Sequence, residues 1–347
     1  MSVTVRSFAK INLGLHIGPR RDDGFHELLT VYQTIGLHDV IRVSVERGKG
    51  IEIRCADPRV PRDESNTCHR IAKKALAATG DEARVVIDIE KRLPVQGGLG
   101  GASANAVATL LGLERALKRS LPVEERLRIA AEVGSDLPLF LIGGTVLGVS
   151  RGEQVYPLKD FPATPCVVLT PDIGVSTPKA FANWDRLCGP GTPAREMPKA
   201  SNSVDRETIS HPARPSKLTL PNPSDRMNEL GRGVSAWLSE SYSGAPFRRG
   251  RAENPLLDLV RAGIKNDFEQ VVFPEYPELS EAKSALERAG AKYASLSGSG
   301  SALYGLFASK EAARIAVTKL LKQGWAAQAT VTLTRRQYWA KFLASSF

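Results

Sequence analysis

The chain has 347 residues, enough for two domains that each bury a core without metal or disulfide support. Its 42% apolar and 24% charged residues are those of a globular protein, and no apolar run is long enough to cross a bilayer, which excludes a membrane span. The 47 Lys and Arg against 37 Asp and Glu suit an anionic partner but do not choose between a small molecule and a nucleic acid.

Residues 1–10 lack the basic start, apolar stretch and small-residue cleavage pattern of an export signal, so a cytoplasmic location is expected. Ile11, Leu13, Leu15 and Ile17 then alternate with Lys10, Asn12, Gly14 and His16, predicting a strand with Lys10 and Asn12 on one face. Further alternation at Ile41, Val43 and Val45 and at Ile51 and Ile53, across a turn at residues 47–50, predicts paired strands. Asn66 caps a predicted helix containing Ile71, Ala72, Ala75 and Leu76. A strand through Val85, Ile87 and Ile89 leads into a glycine loop, and Ala106, Leu110, Leu113 and Leu117 stripe the helix after it.

A second helix spans residues 124–133 and ends at Gly134, with another element at 136–142. The first domain is expected to occupy residues 1–155 and the second 156–347. The second opens with a strand at 166–169 and a helix at 177–187. Pro, Ser, Arg and Asn dominate residues 189–251, which read as a polar, partly disordered insertion with a helical turn at 234–238. Helices at 256–262, 279–289 and 311–321, with strands ending at Ser297, at 302–307 and at 329–333, complete an α+β pattern. Cys55, Cys68, Cys166 and Cys188 show no C-x-x-C spacing and read as reduced, mostly buried thiols.

Four segments carry chemistry. Residues 93–106 read Leu-Pro-Val-Gln-Gly-Gly-Leu-Gly-Gly-Ala-Ser-Ala-Asn-Ala between a strand and a helix, where bare backbone amides and a helix N-terminus favour a phosphate. No Gly-Lys-Ser/Thr ends the loop, so it is not a Walker A motif, and Ser103 where Gly or Ala is expected, with no acidic residue closing a second strand about twenty residues later, argues against dinucleotide binding. Asp136, in Gly134-Ser135-Asp136-Leu137-Pro138, is either an ordinary helix cap or a carboxylate acting on a hydroxyl, with Lys10 as its cationic neighbour. The loop Arg20-Arg21-Asp22-Asp23-Gly24-Phe25-His26 sets an aromatic ring beside an imidazole, as a nucleobase site requires or as local packing produces. Ser297-Gly298-Ser299-Gly300-Ser301 is a second glycine turn whose meaning is open from sequence alone.

Taken in order with Phe8-Ala9-Lys10-Ile11-Asn12-Leu13 and Asn266-Asp267-Phe268-Glu269, these segments resemble the GHMP kinase superfamily. Asp-Gly-Phe-His and Asn-Asp-Phe-Glu narrow the resemblance to the family of 4-diphosphocytidyl-2-C-methyl-D-erythritol kinases, over nearly the whole chain outside residues 189–251. The resemblance implies a ribosomal-protein-S5-like N-terminal domain and a ferredoxin-like C-terminal one. It implies ATP-dependent phosphorylation of the 2-hydroxyl of a cytidine-diphosphate alcohol, with Mg²⁺, and neither nucleic acid nor membrane as partner.

By that resemblance Asp136 acts on the attacking hydroxyl, Lys10 keeps it charged and steadies the phosphoryl, and Asn12 orients the substrate. His26 reads the cytosine edge, Phe25 and Phe181 sandwich the ring, and Thr177 lies beside them. Pro94, Val95, Gln96, Gly97, Gly98, Leu99, Gly100, Gly101, Ala102, Ser103 and Ala104 wrap ATP, with Lys91 and Asn66 near the adenine. Ser103 is the expected oxygen toward the cation. Gln96 departs from the family pattern, which has a small residue there, and the 189–251 segment is longer than its counterpart. Two alternatives stay open from sequence: a GHMP kinase for another small alcohol, and an RNA-binding relative without catalysis.

Overall fold

The computed structural model of the chain describes residues 1–95, 97–188 and 264–343. Gln96, the 189–251 segment and the helix expected at 256–262 lie outside the described residues. Strands β1 (Ser2–Arg20) and β2 (His26–Glu46) run antiparallel from the turn at residues 21–25. Bulges interrupt their register between Phe8 and Lys10 and again between Asn12 and Gly14.

The sequence pattern places β2 beside β3 (Gly50–Cys55), but β4 (Arg84–Glu90) lies between them, antiparallel to β2 and parallel to β3. A parallel pair needs a long crossover, which α1 (Thr67–Thr79) supplies. Val85 and Ile87, fully buried, share one face of β4 and pack in the first core with Ile71, Ala72 and Leu110 of the helices. With β5 (Thr145–Val149) and β6 (Gln154–Pro157), neither foreseen from sequence, the sheet has six strands in the order β3-β4-β2-β5-β6, β1 pairing with β2. Helices α1, α2 (Gly101–Leu117), α3 (Val123–Val133) and α4 (Leu137–Ile142) build a core with it from Ile41, Val43, Ile71, Leu110, Leu113, Ile129 and Phe140.

The second sheet is antiparallel, β10 (Ala327–Val331), β7 (Pro165–Leu169), β9 (Leu303–Leu306) and β8 (Tyr293–Leu296) in that order. Period-two alternation in β7 assigns its two faces. Val167 and Leu169 join α5 (Thr177–Cys188), α6 (Glu269–Glu275), α7 (Pro277–Arg288) and α8 (Lys310–Lys322) in a second core. Cys166 and Val168 face a third core, with Ile11, Leu13, Val31 and Ile35 of the first sheet, which welds the two sheets together. β6 carries the first sheet past residue 155, and α9 (Arg335–Phe342) returns to the first core, where Tyr338 and Phe342 are buried. Among the described residues, no helix is long and apolar enough to cross a membrane.

Candidate active site

The glycine loop is held from behind by Asp39, fully buried in β2. Its Oδ1 accepts from the backbone N–H groups of Arg92 and Leu93, both at 2.7 Å, while Oδ2 accepts from Lys91 Nζ at 2.7 Å and Asn105 Nδ2 at 2.9 Å. Gly98 (φ 80°) and Gly100 (φ 70°) then take left-handed conformations that side chains avoid. The carbonyls are turned into the protein. That of Gly97 accepts from Ala302 N at 2.9 Å, that of Gly98 from Ser297 Oγ at 3.0 Å, that of Leu99 from Lys10 N at 3.0 Å, and that of Gly100 from Ala104 N at 2.8 Å. No N–H of Gly97, Gly98, Leu99, Gly100 or Gly101 donates to a described protein acceptor, so the amides are free at the N-terminus of α2.

The loop therefore rests on the second glycine turn, whose meaning sequence left open. Asn266 pins that turn by donating to the carbonyls of Leu296 (2.9 Å) and Gly298 (2.8 Å), and Asp267 Oδ2 accepts from Ile17 N of β1 at 2.9 Å. The Asn-Asp-Phe-Glu segment is thus a clasp between the two sheets.

Asp136 occupies the cap position of α4, yet its side chain makes no capping bond. Oδ1 instead accepts from Tyr32 Oη at 3.0 Å, and Oδ2 lies 3.5 Å from Lys10 Nζ. Lys10 does not snorkel: it is buried and donates to Asn12 Oδ1 at 2.6 Å, while Asn12 Nδ2 donates to Thr30 Oγ1 at 2.8 Å. Tyr32, not foreseen from sequence, is buried; desolvation first, and then the charge of Asp136, push its hydroxyl well above the usual range, so it stays a donor. It sits opposite Asn12 in the β1–β2 register, a placement that no local sequence pattern signals.

At the other end of the cleft His26 is buried and stacks on Phe181, with centroids 5.0 Å and planes 12° apart, and Phe181 meets Phe268 edge-on at 4.9 Å. Phe25 is half exposed beneath Arg151, 5.0 Å from its ring. The face of Phe181 is thus taken by His26 rather than left open opposite Phe25. Thr177 Oγ1 lies 2.7 Å from Ser299 Oγ of the second glycine turn. Asn66 caps α1, accepting from Cys68 N at 2.8 Å and donating to the Pro61 carbonyl at 2.6 Å, so its amide is committed to the fold. Lys91 is likewise paired with Asp39.

These residues line one cavity of about 1120 Å³, room for two ligands rather than one. Lys10, Asn12, Phe25, His26, Asn66, Lys91, Pro94, Val95, Asp136, Thr177 and Phe181 all form its wall, as do the described residues from Gly97 to Ser103. Ala104 does not: the helical period turns it into the first core, and its N–H is spent on the Gly100 carbonyl. A more open hollow of about 730 Å³, at Arg42, Glu52, Arg54, Arg62, Asp88 and Glu90, has Arg54 paired with Glu52 and Arg62 donating to the Cys55 carbonyl. Among the described residues, no three His, Cys, Asp or Glu side chains gather as a metal site.

Residues 66–144 match the N-terminal domain of GHMP kinases, and residues 252–326 match the C-terminal one. The chain is 34% identical over 308 residues to a 4-diphosphocytidyl-2-C-methyl-D-erythritol kinase from Solibacter usitatus, covering 89% of this chain and 82% of that protein. It is 35% identical over 264 residues to the same-named enzyme of Rhodococcus jostii, covering 76% and 77% of the two chains. A crystal structure of 4-(cytidine 5'-diphospho)-2C-methyl-D-erythritol kinase superposes with a TM-score of 0.66 at 27% identity, covering 96% of this chain and 99% of the other. A mevalonate kinase at 12% identity and a TM-score of 0.61 shares the fold alone.

Proposed function

The chain belongs to the 4-diphosphocytidyl-2-C-methyl-D-erythritol kinases of the GHMP superfamily, and from that premise we infer how its cleft moves a phosphoryl group from ATP to the substrate's 2-hydroxyl. The observation that supports the reading best is the placement of Asp136, drawn off its cap and facing the same cavity as the free amides of the glycine loop.

ATP phosphates lie along those amides and the N-terminus of α2, where the backbone dipoles favour negative charge. Phosphoryl transfer asks mainly for positioning and charge neutralisation. Asp136 Oδ2 takes the proton as the 2-hydroxyl oxygen bonds to the terminal phosphorus and the bond to the ADP oxygen breaks. Tyr32 fixes the other carboxylate oxygen. Lys10 spans the carboxylate and Asn12, and its charge offsets what develops on the moving phosphoryl. The cytosine ring sits at the far end beside His26, Phe25 and Phe181.

The residues fit a magnesium ion, a hard cation that keeps several waters and takes phosphate oxygens with one or two protein oxygens. Ser103, in the first turn of α2 and on the cavity wall, is the residue to hold it. Bound there, the ion neutralises phosphate charge.

The test is incubation with Mg-ATP and 4-diphosphocytidyl-2-C-methyl-D-erythritol, followed by mass detection of a product one phosphoryl group heavier. Faster phosphorylation of mevalonate or homoserine would refute the assigned acceptor.

A further inference from the structure

Asp185 lies on α5 one helical turn beyond Phe181, so the two side chains share a face of that helix and both reach the cavity wall. Its Oδ1 is 2.7 Å from Nε2 of His26, on a strand 159 residues away in sequence. An ionised carboxylate only accepts hydrogen bonds, so the contact assigns the proton of a neutral imidazole to Nε2. Nδ1 is then left with its lone pair, and among the described residues nothing donates to it.

Cytosine and uracil differ at two adjacent ring positions: cytosine has an amino donor at C4 beside an acceptor at N3, and uracil has a carbonyl acceptor at C4 beside an N3–H donor. With the C4 substituent facing it, an imidazole whose open nitrogen is an acceptor bonds the amino group of cytosine and sets lone pair against lone pair with the carbonyl of uracil. We propose that Asp185 is the specificity-determining positioning residue of the base site, selecting cytosine over uracil by fixing the tautomer of His26. The inference rests on the placement of the base beside His26. It adds a residue, and a reason, for the discrimination between two bases of nearly the same shape. Phe181 stacked on the imidazole holds the ring in the plane that keeps both bonds in reach.

Binding of CDP and UDP to the full-length protein, measured by calorimetry, tests this. The wild type should prefer CDP by roughly tenfold or more, the worth of one bond made against one lone-pair clash. Asp185→Asn offers Nε2 either a donor or an acceptor, and Asp185→Ala offers neither. Both should bring the CDP to UDP ratio toward unity with ATP affinity unchanged. Nitrogen NMR of His26 should show Nε2–H in the wild type and a mixture of tautomers in the variants. An unchanged ratio in both variants, or Nδ1–H in the wild type, overturns the proposal. His26→Ala separates it from the reading beneath it: undiminished CDP affinity there would mean that the base binds elsewhere. Weakened CDP binding in His26→Ala with an intact ratio in the Asp185 variants would sink only the role of Asp185.

Discussion

Gly300→Ala should disable ATP use while leaving the base site intact. A Cβ at Gly300 would stand 2.4 Å from Gly98 N, 2.5 Å from the Gly97 carbonyl carbon and 2.7 Å from Gly98 Cα, all of them backbone with no rotamer to yield. The two glycine loops must then part by about 1 Å, an overpacking that costs about 1–3 kcal/mol. Separation also strains the bond from Ala302 N to the Gly97 carbonyl, worth about 1 kcal/mol. Since the cradle is formed by the amides of residues 97–101, a shift of that size misplaces the terminal phosphoryl, and kcat/KM for ATP should fall about a hundredfold. Gly98→Ala should be worse, because its Cβ would meet the Ser297 carbonyl at 2.1 Å and its φ of 80° adds about 1–2 kcal/mol of backbone strain. The assay is steady-state kinetics with ATP varied, beside calorimetry of CDP and a melting curve. Wild-type kcat/KM for ATP in Gly300→Ala would refute the reasoning, because the close approach of the two loops would then have no bearing on the phosphates.

Asp136→Asn should lower kcat by about a hundredfold to ten-thousandfold with little change in KM, and Tyr32→Phe should lower it by roughly tenfold. Near-normal turnover in Asp136→Asn would make that residue a structural cap, whatever Tyr32→Phe did. Asp39→Ala strands the Lys91 ammonium and two backbone donors, a loss of about 3–5 kcal/mol, visible as a clear drop in melting temperature that Asp39→Ala with Lys91→Met partly restores. Unaltered melting of the single variant would refute the clamp. Alkaline solution should unfold the protein: burial pushes the Cys68 thiol and the Tyr293 hydroxyl up to about 12, and raises Tyr32, Tyr304 and Tyr338 as well. Above about pH 9 for the thiol and about pH 10 for the hydroxyls, the unfolded chain binds fewer protons than the folded one, so stability present at lower pH falls as pH rises, by about 1.4 kcal/mol per pH unit for each group until its folded-state pKa is passed. A melting temperature constant from pH 8 to 11 would contradict this.

Local features were legible in the residues themselves. The cap by Asn66, the helix after the glycine loop and the strand through Val85, Ile87 and Ile89 follow from neighbours in sequence, because capping and side-chain period act over a few residues. That Lys10 and Asn12 share a strand face follows from the same alternation, and the hydrogen bond between them is what the structure adds. Ala104 shows the limit of motif reading: it belongs to the loop's sequence, yet the first turn of α2 rotates it away from the cavity.

By itself, the sequence determined that a glycine-rich loop joins a strand to a helix, where most of the strands and helices form, and that Lys10 and Asn12 share a strand face. Only the tertiary structure decided that β4 separates β2 from β3, that Asp136 answers Tyr32 across 104 residues instead of capping α4, and that His26 meets Asp185 across 159. The reason is one of range. A strand's partner and a buried carboxylate's donor are chosen by burying apolar faces and satisfying polar groups over the whole molecule, and no window of neighbouring residues contains that choice.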